Sequence, residues 1–166
     1  MIFVTVGTHE QQFNRLIEYV DKLKADGVID EDVVMQTGFS TYEPVNCEWS
    51  KLFSYQEMTK YVAEANVVIT HGGPSSFIMP LQVGKIPIVV PRQKQFEEHV
   101  NDHQLEFAKA VEERQKNIIV VEQIDLLKDI VQNYEEIVKE RSFNLESNNK
   151  KFNLELEEIV NTIFAK

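Results

Sequence analysis

Short runs of β-branched apolar residues alternate with longer segments whose apolar positions recur at helical spacing. The runs predict strands near Ile2 to Val6, Val33 to Thr37, Lys51 to Ser54, Val67 to Thr70, Ile86 to Val90 and Ile118 to Val121. The segments between them predict helices near Gln11 to Ala25, Gln56 to Ala65, Ser75 to Val83, Glu98 to Glu113 and Ile124 to Val138. In the first of these, Phe13, Leu16, Ile17, Val20 and Leu23 make one core-facing stripe. Strands apolar throughout, alternating with helices, are the pattern of βαβ units around a parallel sheet covered on both faces.

Two stretches break the rhythm. Residues 38–50, with Gly38, Pro44 and Trp49, form a polar connection that the pattern does not assign. The tail from Ser142 to Lys166 places Phe152, Leu156, Ile159 and Ile163 after a polar stretch. It predicts a last helix whose apolar face covers either its own sheet or a partner surface.

At 166 residues the chain fits one domain with a proper core. A formal net charge of −10 argues against broad nucleic-acid contact but leaves room for one local anion pocket. Cys47 is the only cysteine, so no internal disulfide framework exists, and no Cys/His spacing of structural-zinc type occurs. The chain opens on a strand pattern, and nowhere do about 18 apolar residues run together. The expectation is a cytoplasmic chain that does not span a membrane by itself.

The richest chemistry lies at Val67-Val68-Ile69-Thr70-His71-Gly72-Gly73-Pro74-Ser75-Ser76, where an apolar strand ends in a glycine-rich turn before a helix. Paired glycines let backbone N–H groups approach a ligand, and a helix N-terminus favours negative charge, so this turn suits a phosphate. An ordinary strand-to-helix turn, with His71 as a capping residue, is the plainer reading. Ligands of doubly wound sheets bind outside the carboxyl ends of the strands. Four loops are expected there: Gly7-Thr8-His9-Glu10, Ser54-Tyr55-Gln56, the His71 to Ser76 turn, and Pro91 to Gln104. All four histidines, His9, His71, His99 and His103, fall in or beside these loops. The fourth loop gathers carboxylates, imidazoles and amides that can satisfy sugar hydroxyls. It could equally be a solvated loop, and Phe53, Tyr55 and Phe77 could equally be core. The spacing of His99 and His103 could hold a metal, but no third ligand is evident. No GxGxxG, GxxxxGK[ST] or GxSxG motif occurs, which removes the standard dinucleotide, NTPase and hydrolase signatures.

At these residues the chain resembles the C-terminal, donor-binding half of GT-B glycosyltransferases of family 28. The resemblance rests on Ile2-Phe3-Val4-Thr5-Val6-Gly7-Thr8, Thr70-His71-Gly72-Gly73, Gly84-Lys85-Ile86-Pro87-Ile88-Val89-Val90-Pro91, and Glu98-His99-Val100-Asn101-Asp102-His103-Gln104. It is most similar to the small subunits of two-part enzymes, the bacterial capsule or exopolysaccharide β-1,4-galactosyltransferases and the eukaryotic UDP-GlcNAc transferase of the dolichol pathway.

The resemblance implies an α/β fold, a Rossmann-like doubly wound parallel sheet forming a single C-terminal half of a GT-B enzyme. Residues 1–141 would be the donor-binding domain and 142–166 a helical tail. It implies a UDP-sugar donor, preferably UDP-galactose and next UDP-GlcNAc, inversion at the anomeric carbon, and no metal or other cofactor. Gly72, Gly73, Ser75 and Ser76 would take the diphosphate, assisted by His71 and Thr8. Glu98, His99, Asp102 and Gln104 would read the donor sugar, and Phe53, Ser54 and Tyr55 would meet the uracil. His9 and Glu10 are the candidates for the base. Met79 stands where relatives carry a ribose-binding glutamate. A membrane-anchored partner would hold a lipid-linked acceptor and keep this chain at the inner membrane face. The rivals are a noncatalytic binding subunit of a separate transferase and a UDP-sugar epimerase.

Overall fold

The computed structural model describes residues 1–141, and the expected C-terminal helix lies outside the described residues. Six strands run in one parallel sheet: β1 (Ile2–Thr5), β2 (Val33–Gln36), β3 (Glu48–Ser50), β4 (Val67–His71), β5 (Ile88–Val90) and β6 (Ile119–Val120). Their order across the sheet is β3-β2-β1-β4-β5-β6. The helices are α1 (Asn14–Ala25), α2 (Tyr55–Glu64), α3 (Pro74–Gln82), α4 (His103–Gln115), α5 (Leu127–Gln132) and α6 (Tyr134–Arg141).

Alternation along each strand explains the two-sided core. Ile2 and Val4 of β1 join Met35, Ile69, Ile88 and Val90 under α1, α5 and α6. The intervening Phe3 and its neighbours Val34 and Val68 meet Val62 of α2, while Val89 meets Phe77, Leu81, Phe107 and Val111 of α3 and α4. Successive residues point to opposite faces, so strands covered on both sides must be apolar at every position.

The expected third strand at Lys51 to Ser54 is corrected to Glu48–Ser50. Glu48, Trp49 and Ser50 pair with Val34, Met35 and Gln36, whereas Ser54 begins a helix. Its hydroxyl accepts from the Glu57 N–H and the Glu57 carboxylate accepts from the Ser54 N–H, a reciprocal cap that competes with strand geometry. The unassigned connection before β3 is fastened to α1. Asp21, 1% exposed, accepts from the Tyr42 hydroxyl at 2.6 Å and from the Val45 and Asn46 N–H groups at 3.0 and 2.8 Å.

Two helix expectations also change. The segment expected from Glu98 begins only at His103, because residues 94–96 form a short 3-10 turn and Glu97 adopts the left-handed region at φ 58°. The segment from Ile124 to Val138 divides at Asn133 into α5 and α6. The Tyr134 hydroxyl then donates to the Ile86 carbonyl at 2.6 Å, tying α6 to the sheet.

Candidate functional site

The strand order reverses between β1 and β4, so the chain leaves these neighbours in opposite directions and opens a crevice at their carboxyl ends. Gly7 follows β1 and His71 closes β4 at that point. The His71 ring fills the space between two glycines. A Cβ on Gly7 would lie 2.3 Å from His71 Nε2, and one on Gly73 would lie 2.2 Å from His71 Cε1. Gly7 also holds φ +74°, which a side chain would strain. Gly72 is bare for a different reason, since a Cβ there would meet Gln104 Cβ at 2.9 Å.

Hydrogen bonds set the His71 tautomer. The Gly73 N–H donates to Nδ1 at 3.1 Å, so the proton of the neutral ring sits on Nε2. That Nε2–H donates to Ser76 Oγ at 2.9 Å. The ring is neutral because burial, with a smaller contribution from the nearby Arg92 charge, pushes its pKa down to about 3. Ser76 Oγ thus accepts from the ring, and its own O–H is left to donate. The helix behind it, α3, starts with Gly73 as N-cap and no side-chain cap, with Pro74 in its first turn. Its N-terminus therefore offers backbone N–H groups and a positive dipole end to an anion.

The loops after β1 and β5 meet beside this turn. His9 stacks on His99 with ring centroids 4.6 Å apart and planes 13° from parallel. His9 Nε2 lies 2.9 Å from Gln11 Oε1, an acceptor, which places the His9 proton on Nε2 and leaves Nδ1 as the basic nitrogen. Burial lowers the His99 pKa, and His9, Arg92 and His103 add to the effect.

Beneath the loops lies an ionic network. Arg15 Nε and Nη2 donate to the two Glu98 carboxylate oxygens at 2.9 and 3.0 Å. Glu98 is 1% exposed and also accepts from the Gln93 N–H. Arg92 is fully buried and donates to the carbonyls of Val6, Gln11, Gln12 and Glu98 at 2.8 to 3.2 Å.

The structure brings most of the sequence candidates together but gives several of them internal partners. His9, His71, His99, Gly72, Gly73 and Ser76 converge at the β1/β4 crevice. Thr8, Glu10 and Ser75 are exposed at its rim. The Glu98 carboxylate is engaged by Arg15 and Gln93. Gln104 Oε1 accepts from the Arg92 N–H, and Asp102 Oδ1 accepts from the Lys94 N–H. Phe53, Ser54 and Tyr55 lie where β3 leads into α2, and each side chain has a different setting. The Phe53 ring packs on Phe3 and Tyr61, the Ser54 hydroxyl caps α2, and the Tyr55 side chain is 77% exposed. Met79 is half-buried against the Phe3, Val62 and Val68 cluster. Among the described residues, no group of three or more His, Cys, Asp or Glu side chains is placed to hold a metal.

Arg92, Arg15 and Gln12 were not singled out by sequence reasoning. An arginine directly after the apolar run Ile86 to Pro91, at the carboxyl end of a buried strand, was the available signal for the first.

The family model of the glycosyltransferase family 28 C-terminal domain matches residues 1–163. Among the solved structures to which the chain is similar are three glycosyltransferases. Its likeness to the glycosyltransferase SnogD from Streptomyces nogalater has a TM-score of 0.56 at 13% identity, over 98% of this chain and 43% of that one. The kitacinnamycin glycosyltransferase gives a TM-score of 0.60 at 18% identity, over 98% and 43%. MurG from Acinetobacter baumannii gives 0.56 at 15% identity, over 96% and 48%. The chain therefore spans less than half the length of these proteins, and the shared part is the α/β fold of the C-terminal half of GT-B glycosyltransferases. No curated protein matches the chain.

Proposed function

Because the chain belongs to the glycosyltransferase family 28 C-terminal domain family, we propose that it is the donor-binding, catalytic subunit of an inverting UDP-sugar glycosyltransferase. The observation that carries this reading is the β1/β4 crevice. There an uncapped helix N-terminus and a Ser76 hydroxyl oriented by neutral His71 present donors to one point.

A leaving diphosphate at that point gains hydrogen bonds as its charge develops, without a metal. Gly73 N–H is occupied by His71, so the donors are Gly72 N–H, Ser75 N–H and the Ser76 hydroxyl. His9 Nδ1 takes the proton from the acceptor hydroxyl as that oxygen bonds to the anomeric carbon and the bond to the diphosphate breaks. One displacement inverts the anomeric centre. His99, Asp102 and exposed groups of the β5–α4 loop read the sugar, and the 53–55 loop meets the uracil.

The preferred donor is UDP-galactose, transferred in β-1,4 linkage to a lipid-linked sugar during capsule or exopolysaccharide assembly. UDP-GlcNAc is the alternative. The acceptor half is supplied by a membrane-anchored partner, which keeps the chain at the cytoplasmic membrane face. Exposed Phe39, Leu52, Tyr55, Phe96 and Val100 lie in the segments that follow β2, β3 and β5, at the carboxyl edge, and support a covering surface there. Among the described residues no helix is long and apolar enough to cross a membrane. A second reading, a noncatalytic donor-binding subunit, is favoured by one observation, the turning of Met79 into the core where a ribose-holding carboxylate would stand.

Calorimetric titration with UDP, UDP-galactose, UDP-GlcNAc and NAD, with and without a chelator, tests the proposal. Chelator-insensitive binding of UDP and one UDP-sugar, without NAD, is the expected result. Failure to bind any nucleotide, alone and with the partner, overturns it. Turnover with the partner that survives His9→Ala unchanged removes His9 as the base.

A further inference from the structure

The Arg92 guanidinium has no exposed surface, yet none of its hydrogen bonds goes to a side chain. Nη2 donates to the Val6 carbonyl at 2.8 Å; Nη1 donates to those of Gln11 at 2.8 Å, Gln12 at 3.2 Å and Glu98 at 3.0 Å. Val6 lies just before the loop carrying Thr8, His9 and Glu10, and Gln11 just after it. Glu98 precedes His99, the residue on which His9 stacks. The guanidinium rests over the Phe13 ring, 5.1 Å from its centroid.

Burying a cation costs heavily unless its donors are satisfied, and an apolar side chain would fill the same volume without that cost. A planar fork can span carbonyls that a single ammonium nitrogen cannot. We propose that Arg92 is a positioning residue: its guanidinium pinches the Gly7–Glu10 loop at both ends and ties it to the backbone beside His99, setting the His9–His99 stack. Its catalytic consequence rests on the donor-subunit reading; the loop registry does not. The β1–α1 loop and the β5–α4 loop then move as one unit, which holds His9 Nδ1 at a fixed place relative to the residues that read the sugar.

Proton NMR of the free chain tests the registry. Wild type is expected to show Overhauser contacts between the His9 and His99 rings. Arg92→Lys keeps the charge and loses the fork, so those contacts should vanish while UDP affinity stays within about twofold, because the turn from His71 to Ser76 lies on other elements. In the assembled transferase kcat should fall by about tenfold or more with donor KM within about twofold. Retained ring contacts or unchanged kcat in Arg92→Lys overturns the proposal. If that variant does not fold, Phe13→Leu carries the test, since it removes the ring on which the guanidinium rests. Weakened His9–His99 contacts then support the proposal, and unchanged contacts assign Arg92 to stability alone. Absence of UDP binding by the wild type, alone and with the partner, would sink the donor-subunit reading and leave the NMR result standing.

Discussion

His71 Nε2 donates to the Ser76 hydroxyl at 2.9 Å, in a direction imposed from the other side of the ring by the Gly73 N–H. A backbone N–H can only donate, so it decides which ring nitrogen holds the proton. The histidine of the β4–α3 turn therefore serves as a neutral relay that aims a serine, and adds no positive charge of its own.

Removal of the aimed hydroxyl should weaken anion binding without harming the fold. Ser76→Ala is expected to lower UDP affinity about tenfold, the loss of one hydrogen bond to a charged group. Calorimetry checks this, and an unchanged affinity would show that the hydroxyl does not reach the diphosphate.

The neutrality of His71 gives a signed pH dependence. Its pKa is about 3 in the folded chain against 6.5 for the free side chain, so between those values the unfolded state binds more protons than the folded one. Stability from this group is full above about pH 6.5 and declines as pH falls toward about 3. Thermal melts at successive pH values should show that decline, and His71→Gln should make it shallower. NMR titration should find the His71 ring neutral throughout pH 5 to 8.

The glycines divide sharply by surroundings. Gly7→Ala drives a methyl to 2.3 Å from His71 Nε2 at φ +74°, and should cost about 2–4 kcal/mol together with UDP binding. Gly84→Ala has a similar φ of +77° and nothing within 4 Å, so it should cost only about 1 kcal/mol and leave binding intact. Denaturant unfolding of the two variants makes the comparison.

Glu98 and Arg15 should behave as a buried pair. Their side chains are 1% and 14% exposed, so Arg15→Leu leaves a buried carboxylate unpaired and should cost about 3–5 kcal/mol. The double variant Arg15→Leu/Glu98→Leu should recover part of that loss. A double-mutant cycle by chemical denaturation measures it, and simple additivity would mean the two groups do not interact.

The sequence by itself determined the class of fold and the place of the glycine-rich turn between β4 and α3. Strands apolar at every position, such as Val67 to Ile69 and Ile86 to Val90, can only be buried on both faces, and Gly72-Gly73-Pro74 can only open a helix closely. These are local signals, written in periodicity and backbone freedom. Tertiary structure decided what depends on partners far along the chain. β3 settled on Glu48–Ser50 because those residues pair with β2 and Ser54 caps α2. Glu98, expected from the resemblance to read the donor sugar, is drawn inward by Arg15, 83 positions away. Arg92 found the Val6 carbonyl 86 positions away, and His9 of the β1–α1 loop came to stack on His99 of the β5–α4 loop. Hydrogen bonds between distant segments leave no periodic trace, so the sequence marks where the chemistry gathers while folding assigns each group its partner.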